Sequence, residues 1–117
     1  MLVSVAVILN TIESIAASPK LIYYKVGVTC RPRDRRKTYS RLYPYYRHFV
    51  ILEGGLDACT ALKLEKEIFQ TVLNSEQSEV LFKKHAPAHL KSYRSSLGGK
   101  SIDNKEEYSL YIVWRSE

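Results

Sequence analysis

Residues 21–42, LIYYKVGVTCRPRDRRKTYSRL, decide how the chain is read, because an apolar, β-branched segment gives way within a few residues to a run of arginines. Leu21 to Val28 has the composition of a half-buried strand, and Gly27 near its end marks a close approach of backbone. Thr29, Pro32 and Asp34 form a helix start, and the basic helix they open runs to about Leu42, short of Pro44. A strand feeding a basic helix is the unit around which the other elements are placed.

Upstream, Leu2 to Leu9 is broken only by Ser4 and reads as a mostly buried strand, paired antiparallel with Leu21 to Val28 across a loop carrying Ser18 and Pro19. Downstream, Tyr45 to Glu53 alternates as a third strand stopped by Gly54 and Gly55, after which Asp57 caps a long helix from Ala58 to Asn74. Leu81 to Tyr93 suits a short helix after Pro87, and Tyr108 to Trp114 suits a terminal strand. The expected fold is therefore α+β. It is a single domain over residues 1–117, a small three-stranded antiparallel sheet flanked by helices, with its core at about 2–74 and a C-terminal extension at about 75–117.

A chain of 117 residues has no room for a doubly wound sheet with a separate substrate domain, so any catalysis rests on a few side chains of a minimal scaffold. Cys30 and Cys59 have no partner pairs around them, which argues against a disulfide framework or a four-ligand zinc site and for a reducing, cytoplasmic setting. Leu2 to Leu9 is far shorter than the roughly 20 residues of a membrane span, and no Lys or Arg precedes it as in a secretory signal. Gly99-Lys100-Ser101 lacks the upstream glycine of a phosphate-binding loop, and His85 and His89 lack the glutamate of a zinc-protease motif.

The net charge of +6 is unevenly placed. Lys25, Arg31, Arg33, Arg35, Arg36, Lys37, Arg41 and Arg47 face a single acid, Asp34, between residues 25 and 48, and Tyr39, Tyr43, Tyr45 and Tyr46 are interleaved with them. A second basic block, Lys83, Lys84, Lys91, Arg94 and Lys100, follows an acidic stretch. Cations neutralise phosphates and flat rings stack on bases or sugars, so nucleic acid is the natural partner: DNA, with RNA not excluded. A solvated basic surface that serves solubility is the plainer alternative.

Within the 58–74 helix, Ala58, Ala61, Leu62, Ile68, Phe69 and Val72 all lie within about 60° of Glu65 at ~100° per residue. Lys63, Lys66, Glu67 and Gln70 fall mostly on the other side. One carboxylate thus occupies the middle of an apolar stripe. Burial of an unpaired carboxylate is costly, so Glu65 must be neutral, paired with a cation such as an arginine of the basic helix, or bound to a metal.

Tyr23-Tyr24-Lys25-Val26-Gly27-Val28-Thr29, Arg35 eight residues after the glycine, and Ala61-Leu62-Lys63-Leu64-Glu65 on a helix together resemble the GIY-YIG nuclease superfamily over about residues 2–74, most closely its short, divergent phage- and restriction-associated branch. The resemblance implies a small antiparallel sheet flanked by helices and a divalent metal, Mg²⁺ or Mn²⁺, held by Glu65. It also implies that Arg35 contacts the phosphate and that Tyr39, one turn later, shares its face. The chain departs from the pattern at two places: Leu2 to Leu9 contains no tyrosine, and Lys25 stands where the second signature has one.

These residues suit metal-dependent hydrolysis of a DNA phosphodiester, with Glu65 holding the metal, Arg35 bracing the phosphate, and Tyr23, Tyr24, Lys25 or His48 activating water. His48 has the most suitable ordinary pKa, although a strand histidine satisfied by backbone or solvent is its plainer reading. A catalytically degenerate nucleic-acid-binding domain of the same fold is the alternative, and a protein–protein interaction module comes third. The C-terminal extension would either lengthen a DNA groove through its lysines and Arg94 or form a homodimer contact through Tyr111 and Trp114.

Overall fold

Residues 5–42, 45–74, 81, 83–85 and 106–116 are described by the computed structural model. The strand expected at 21–28 forms as β1 (Leu21–Thr29), and the basic helix follows as α2 (Pro32–Arg41), preceded in the chain by α1 (Val5–Ala16). β2 (His48–Leu56), α3 (Ala58–Leu73) and β3 (Tyr108–Ser116) complete the described elements. The three strands form an antiparallel sheet in the order β1-β3-β2, which bears out the α+β class.

The first expected strand is instead a helix. From Val5 onward the apolar residues continue at helical spacing past Asn10 and Thr11, so that Ile8, Ile12 and Ala16 share one buried face while Asn10, Thr11, Glu13 and Ser14 are exposed. The Thr11 hydroxyl donates to the Val7 carbonyl and the Ser14 hydroxyl to that of Asn10, which keeps these polar groups satisfied within the helix. The β-branched composition of the first ten residues outweighs this period only if reading stops at Leu9. Among the described residues no helix is long and apolar enough to cross a membrane.

With α1 removed from the sheet, β3 takes the central place. It pairs with β1 from Leu21↔Ser116 to Thr29↔Ser109 and with β2 from His48↔Trp114 to Leu56↔Tyr108. β1 and β2 are therefore parallel to each other with β3 between them, and a parallel pair needs a crossover, which α2 supplies. A central strand with both faces covered reads as a nearly continuous apolar run, as Leu110 to Val113 does.

The two faces differ in what covers them. Tyr108, Leu110 and Ile112 pack with Tyr24 and Val28 of β1 under Ile8 and Ile12 of α1 and Ala61, Leu64 and Ile68 of α3. Tyr111 and Val113 point the other way, against Tyr39 of α2, Tyr46 and Phe49. Local signals hold well for α2 and α3. Pro32 opens α2, and the Asp57 carboxylate accepts from the Thr60 amide (2.8 Å) and hydroxyl (3.0 Å) at the start of α3. Gly54 and Gly55 do not stop β2; they lie inside it, where the register with β3 shifts and Gly55 adopts a φ of 65° that suits a bulge.

Candidate active site

The site grows from the alternation of β1 and β3. Tyr23, Lys25 and Gly27 project to the α2 side of the sheet and Tyr24 to the other, as alternation requires. Gly27 stands opposite Tyr111 in the register, so β1 places no side chain beside that ring. Arg35 and Tyr39, one turn apart on α2, are its two half-buried polar residues, while Arg31, Arg33, Arg36, Lys37 and Arg41 are exposed.

These elements meet at the Tyr111 hydroxyl. It lies 2.8 Å from the Tyr39 hydroxyl, and the Arg35 Nη1 donates to it at 3.4 Å. The Phe49 ring stacks on Tyr111 at 4.9 Å, and Tyr46 meets Tyr39 edge-on at 5.7 Å. The Lys25 Nζ sits 5.5 Å from the centre of the Tyr39 ring, within cation–π range. Glu65 is buried on the inward stripe of α3 at 4% exposure. Burial, and then the neighbouring Tyr39, push the Tyr111 phenol well above its ordinary pKa, with the Arg35 charge working in the opposite direction. Burial also pushes Tyr46 up to about 12.

Of the residues expected to act, Arg35, Tyr39, Lys25 and Tyr23 share this face, whereas Glu65 is buried on α3, whose apolar residues pack on the other face of the sheet. Tyr24 and His48 do not belong to it. Tyr24 is wholly buried on the opposite face, where its hydroxyl donates to the Leu81 carbonyl and its ring meets His85 edge-on. His48 lies at the end of the sheet, stacked on Trp114 at 5.1 Å with its Nε2 2.9 Å from the Ser116 hydroxyl.

The basic residues divide similarly. Arg47 and Lys83 are exposed, whereas the Lys84 ammonium donates to the Ala16 and Ser18 carbonyls at 2.8 Å each and so closes the C-terminal end of α1. Lys91, Arg94 and Lys100 lie outside the described residues. Of the two residues named for a homodimer contact, Tyr111 is 0% exposed within its own chain and Trp114 is half-buried.

Tyr111 is the member of this cluster that sequence reasoning did not place there. Two signals pointed to it: Leu2 to Leu9 lacks a tyrosine that the resemblance requires on a strand, and YSLYIVW is the other strand-like segment with a tyrosine in its middle. A buried phenol also needs a hydrogen-bond partner, and a nearby arginine supplies one. No family model matches the chain, and no curated protein or solved structure is significantly similar to it.

Proposed function

We propose that the chain is a metal-dependent endonuclease of the GIY-YIG kind that hydrolyses phosphodiester bonds in DNA, with Arg35, Tyr39, Tyr111, Lys25 and Glu65 as its working residues. The observation that carries this reading is the convergence of Arg35, Tyr39 and Tyr111 at one pair of hydroxyls. The tyrosine absent from Leu2 to Leu9 has its counterpart in Tyr111 on the central strand.

The chemistry follows from the positions of these groups. Because burial keeps Tyr111 protonated, its hydroxyl donates to the Tyr39 oxygen while accepting from Arg35, which orients the more exposed Tyr39 towards an incoming phosphate. Tyr39 then holds the attacking water by a hydrogen bond; as the water oxygen bonds to phosphorus the bond to the 3′ oxygen breaks, and the proton released by the water passes through solvent to that leaving oxygen. The Arg35 guanidinium neutralises the charge that gathers on the phosphoryl oxygens, and the Lys25 ammonium, 5.5 Å from the centre of the Tyr39 ring, adds a second positive charge to the site.

Among the described residues no three His, Cys, Asp or Glu side chains gather as a metal cluster. Glu65 alone suits a hard cation such as Mg²⁺ or Mn²⁺, whose remaining positions go to waters and phosphate oxygens. Such an ion, when bound, would polarise the phosphate and stabilise the leaving oxygen.

The deciding experiment is nicking of supercoiled plasmid in Mg²⁺ and in Mn²⁺ by the wild type, Glu65→Gln and Arg35→Ala, with folding checked by circular dichroism. Cutting by the wild type alone supports the nuclease reading. The second reading, a nucleic-acid-binding domain that does not cut, is favoured by one observation, the complete burial of Tyr111. Equal DNA binding by all three proteins with no cutting by any would establish it and leave Glu65 as a buried ion-pair partner.

A further inference from the structure

α2 carries positive charge on two opposite faces, and the proposed chemistry uses only one of them. Arg35 and Tyr39 turn towards the sheet and are half-buried. At about 100° per residue, Lys37 lies half a turn from the midpoint of that pair, and Arg33 and Arg41 lie about 40° to either side of Lys37. All three are exposed, and among the described residues none of their side chains forms a hydrogen bond or an ion pair. They make a ridge of cations at i, i+4 and i+8, about 6 Å apart along the helix axis at the rise of an α-helix.

Such a ridge acts against the helix that carries it. Like charges four residues apart repel, and Arg33 stands in the first turn, where the positive end of the helix dipole disfavours a cation. Asp34, the one acid of α2, pairs with none of them among the described residues. A surface that serves solubility alone gains nothing from this stacking, whereas a row of anions relieves it. Each backbone of a DNA duplex carries a phosphate about every 3.4 Å along the axis, so the roughly 12 Å from Arg33 to Arg41 spans about three to four phosphates of one backbone. The other outer positions of α2, Asp34, Arg36 and Ser40, are polar and exposed; they offer no apolar side chain to a lipid surface and no ring to an unpaired base.

We infer that Arg33, Lys37 and Arg41 form a ridge that binds the phosphate backbone of a DNA duplex on the side of α2 away from the Arg35 cluster. The inference rests on the nucleic-acid reading above and divides the work within it. The ridge supplies sequence-independent affinity, and the cluster faces the bond to be cut.

The test is fluorescence anisotropy with a short DNA duplex of mixed sequence, in chelator so that nothing is cut, read as the slope of log affinity against log salt between about 50 and 200 mM. Combined Arg33→Ala, Lys37→Ala and Arg41→Ala should weaken binding about tenfold or more at the lower salt and reduce the slope by about 2 to 3, nearly one unit for each lost phosphate contact. Combined Lys20→Ala, Lys63→Ala and Lys66→Ala removes the same charge from exposed positions elsewhere and should leave the slope within about one unit of wild type. Arg33→Lys with Arg41→Lys keeps the charges and should hold the wild-type slope. The ridge triple also relieves the like-charge pairs, so its melting temperature should equal or exceed that of the wild type. Equal slope losses in the two alanine triples, an unchanged slope in the ridge triple, or wild-type binding of equal strength to single-stranded DNA or to phosphatidylserine vesicles would overturn the ridge. Plasmid nicking is read separately. Nicking with the ridge slope unchanged removes only this inference, the expected slope loss without nicking removes only the nuclease, and absence of duplex binding by the wild type removes both.

Discussion

Tyr24 and Tyr111 are both 0% exposed, lie on neighbouring strands and face opposite sides of one sheet. On the side of α1 and α3, the Tyr24 hydroxyl ends on a backbone carbonyl of Leu81 within a mainly aliphatic core. On the side of α2, the Tyr111 hydroxyl ends on a cation and a second phenol. The same side chain at the same burial is thus a structural tie in one place and part of a candidate catalytic cluster in the other. What separates them is whether the partner group can change its charge or position.

The contrast breaks most visibly through packing. Ile12→Ala on the aliphatic side should destabilise the fold by about 2–5 kcal/mol, measured by urea denaturation, because a wholly buried side chain leaves a cavity. On the other side, Arg35→Ala should lower plasmid nicking by about 10²–10³-fold while the urea midpoint moves much less. Urea denaturation and nicking thus separate the two faces.

A closer comparison removes one oxygen from each tyrosine. Tyr24→Phe should lower stability by about 1–3 kcal/mol, since it strips the Leu81 carbonyl of this donor, and should leave nicking unchanged once folding is accounted for. Tyr111→Phe should do the reverse. Its Arg35 and Tyr39 neighbours keep other routes to water, so stability changes little, but nicking falls by about 10- to 100-fold as Tyr39 loses its orientation. Similar behaviour by the two variants would erase the distinction drawn between the faces.

The smallest effect is expected outside both clusters. Thr60 hydrogen bonds hold the exposed Asp57 carboxyl below its ordinary 3.8, so its contribution to the fold is present above the unfolded-state value and is lost as pH falls through the lower, folded one. Asp57→Ala should therefore lower the melting temperature slightly at neutral pH. At a pH below the folded value, the melting temperatures of variant and wild type should converge.

Much of the helical structure was legible residue by residue. Asp57, the apolar stripe of α3 and Pro32 at the start of α2 are local signals, and the α3 and α2 they announce are present. The oddity of Glu65 followed from helical periodicity alone and agrees with its burial. Leu2 to Leu9 misled because Val and Ile favour strands, whereas the period that makes residues 5–16 a helix appears only over about three turns. His48 misled because a suitable pKa says nothing about location, and the sheet places it beside Trp114 instead.

Composition, periodicity and capping settled that this is a small basic α+β domain whose basic helix follows a strand and whose last long helix buries a carboxylate. These are properties of residues near one another in the chain. The fold alone brought β3 between β1 and β2, and with it Tyr111 to Arg35 and Tyr39, from more than seventy residues away. Strand order depends on which long-range pairing buries the most apolar surface, and the central place went to the segment able to be covered on both faces. Local pattern cannot rank such pairings, which is why the hydroxyl cluster emerged only from the tertiary structure.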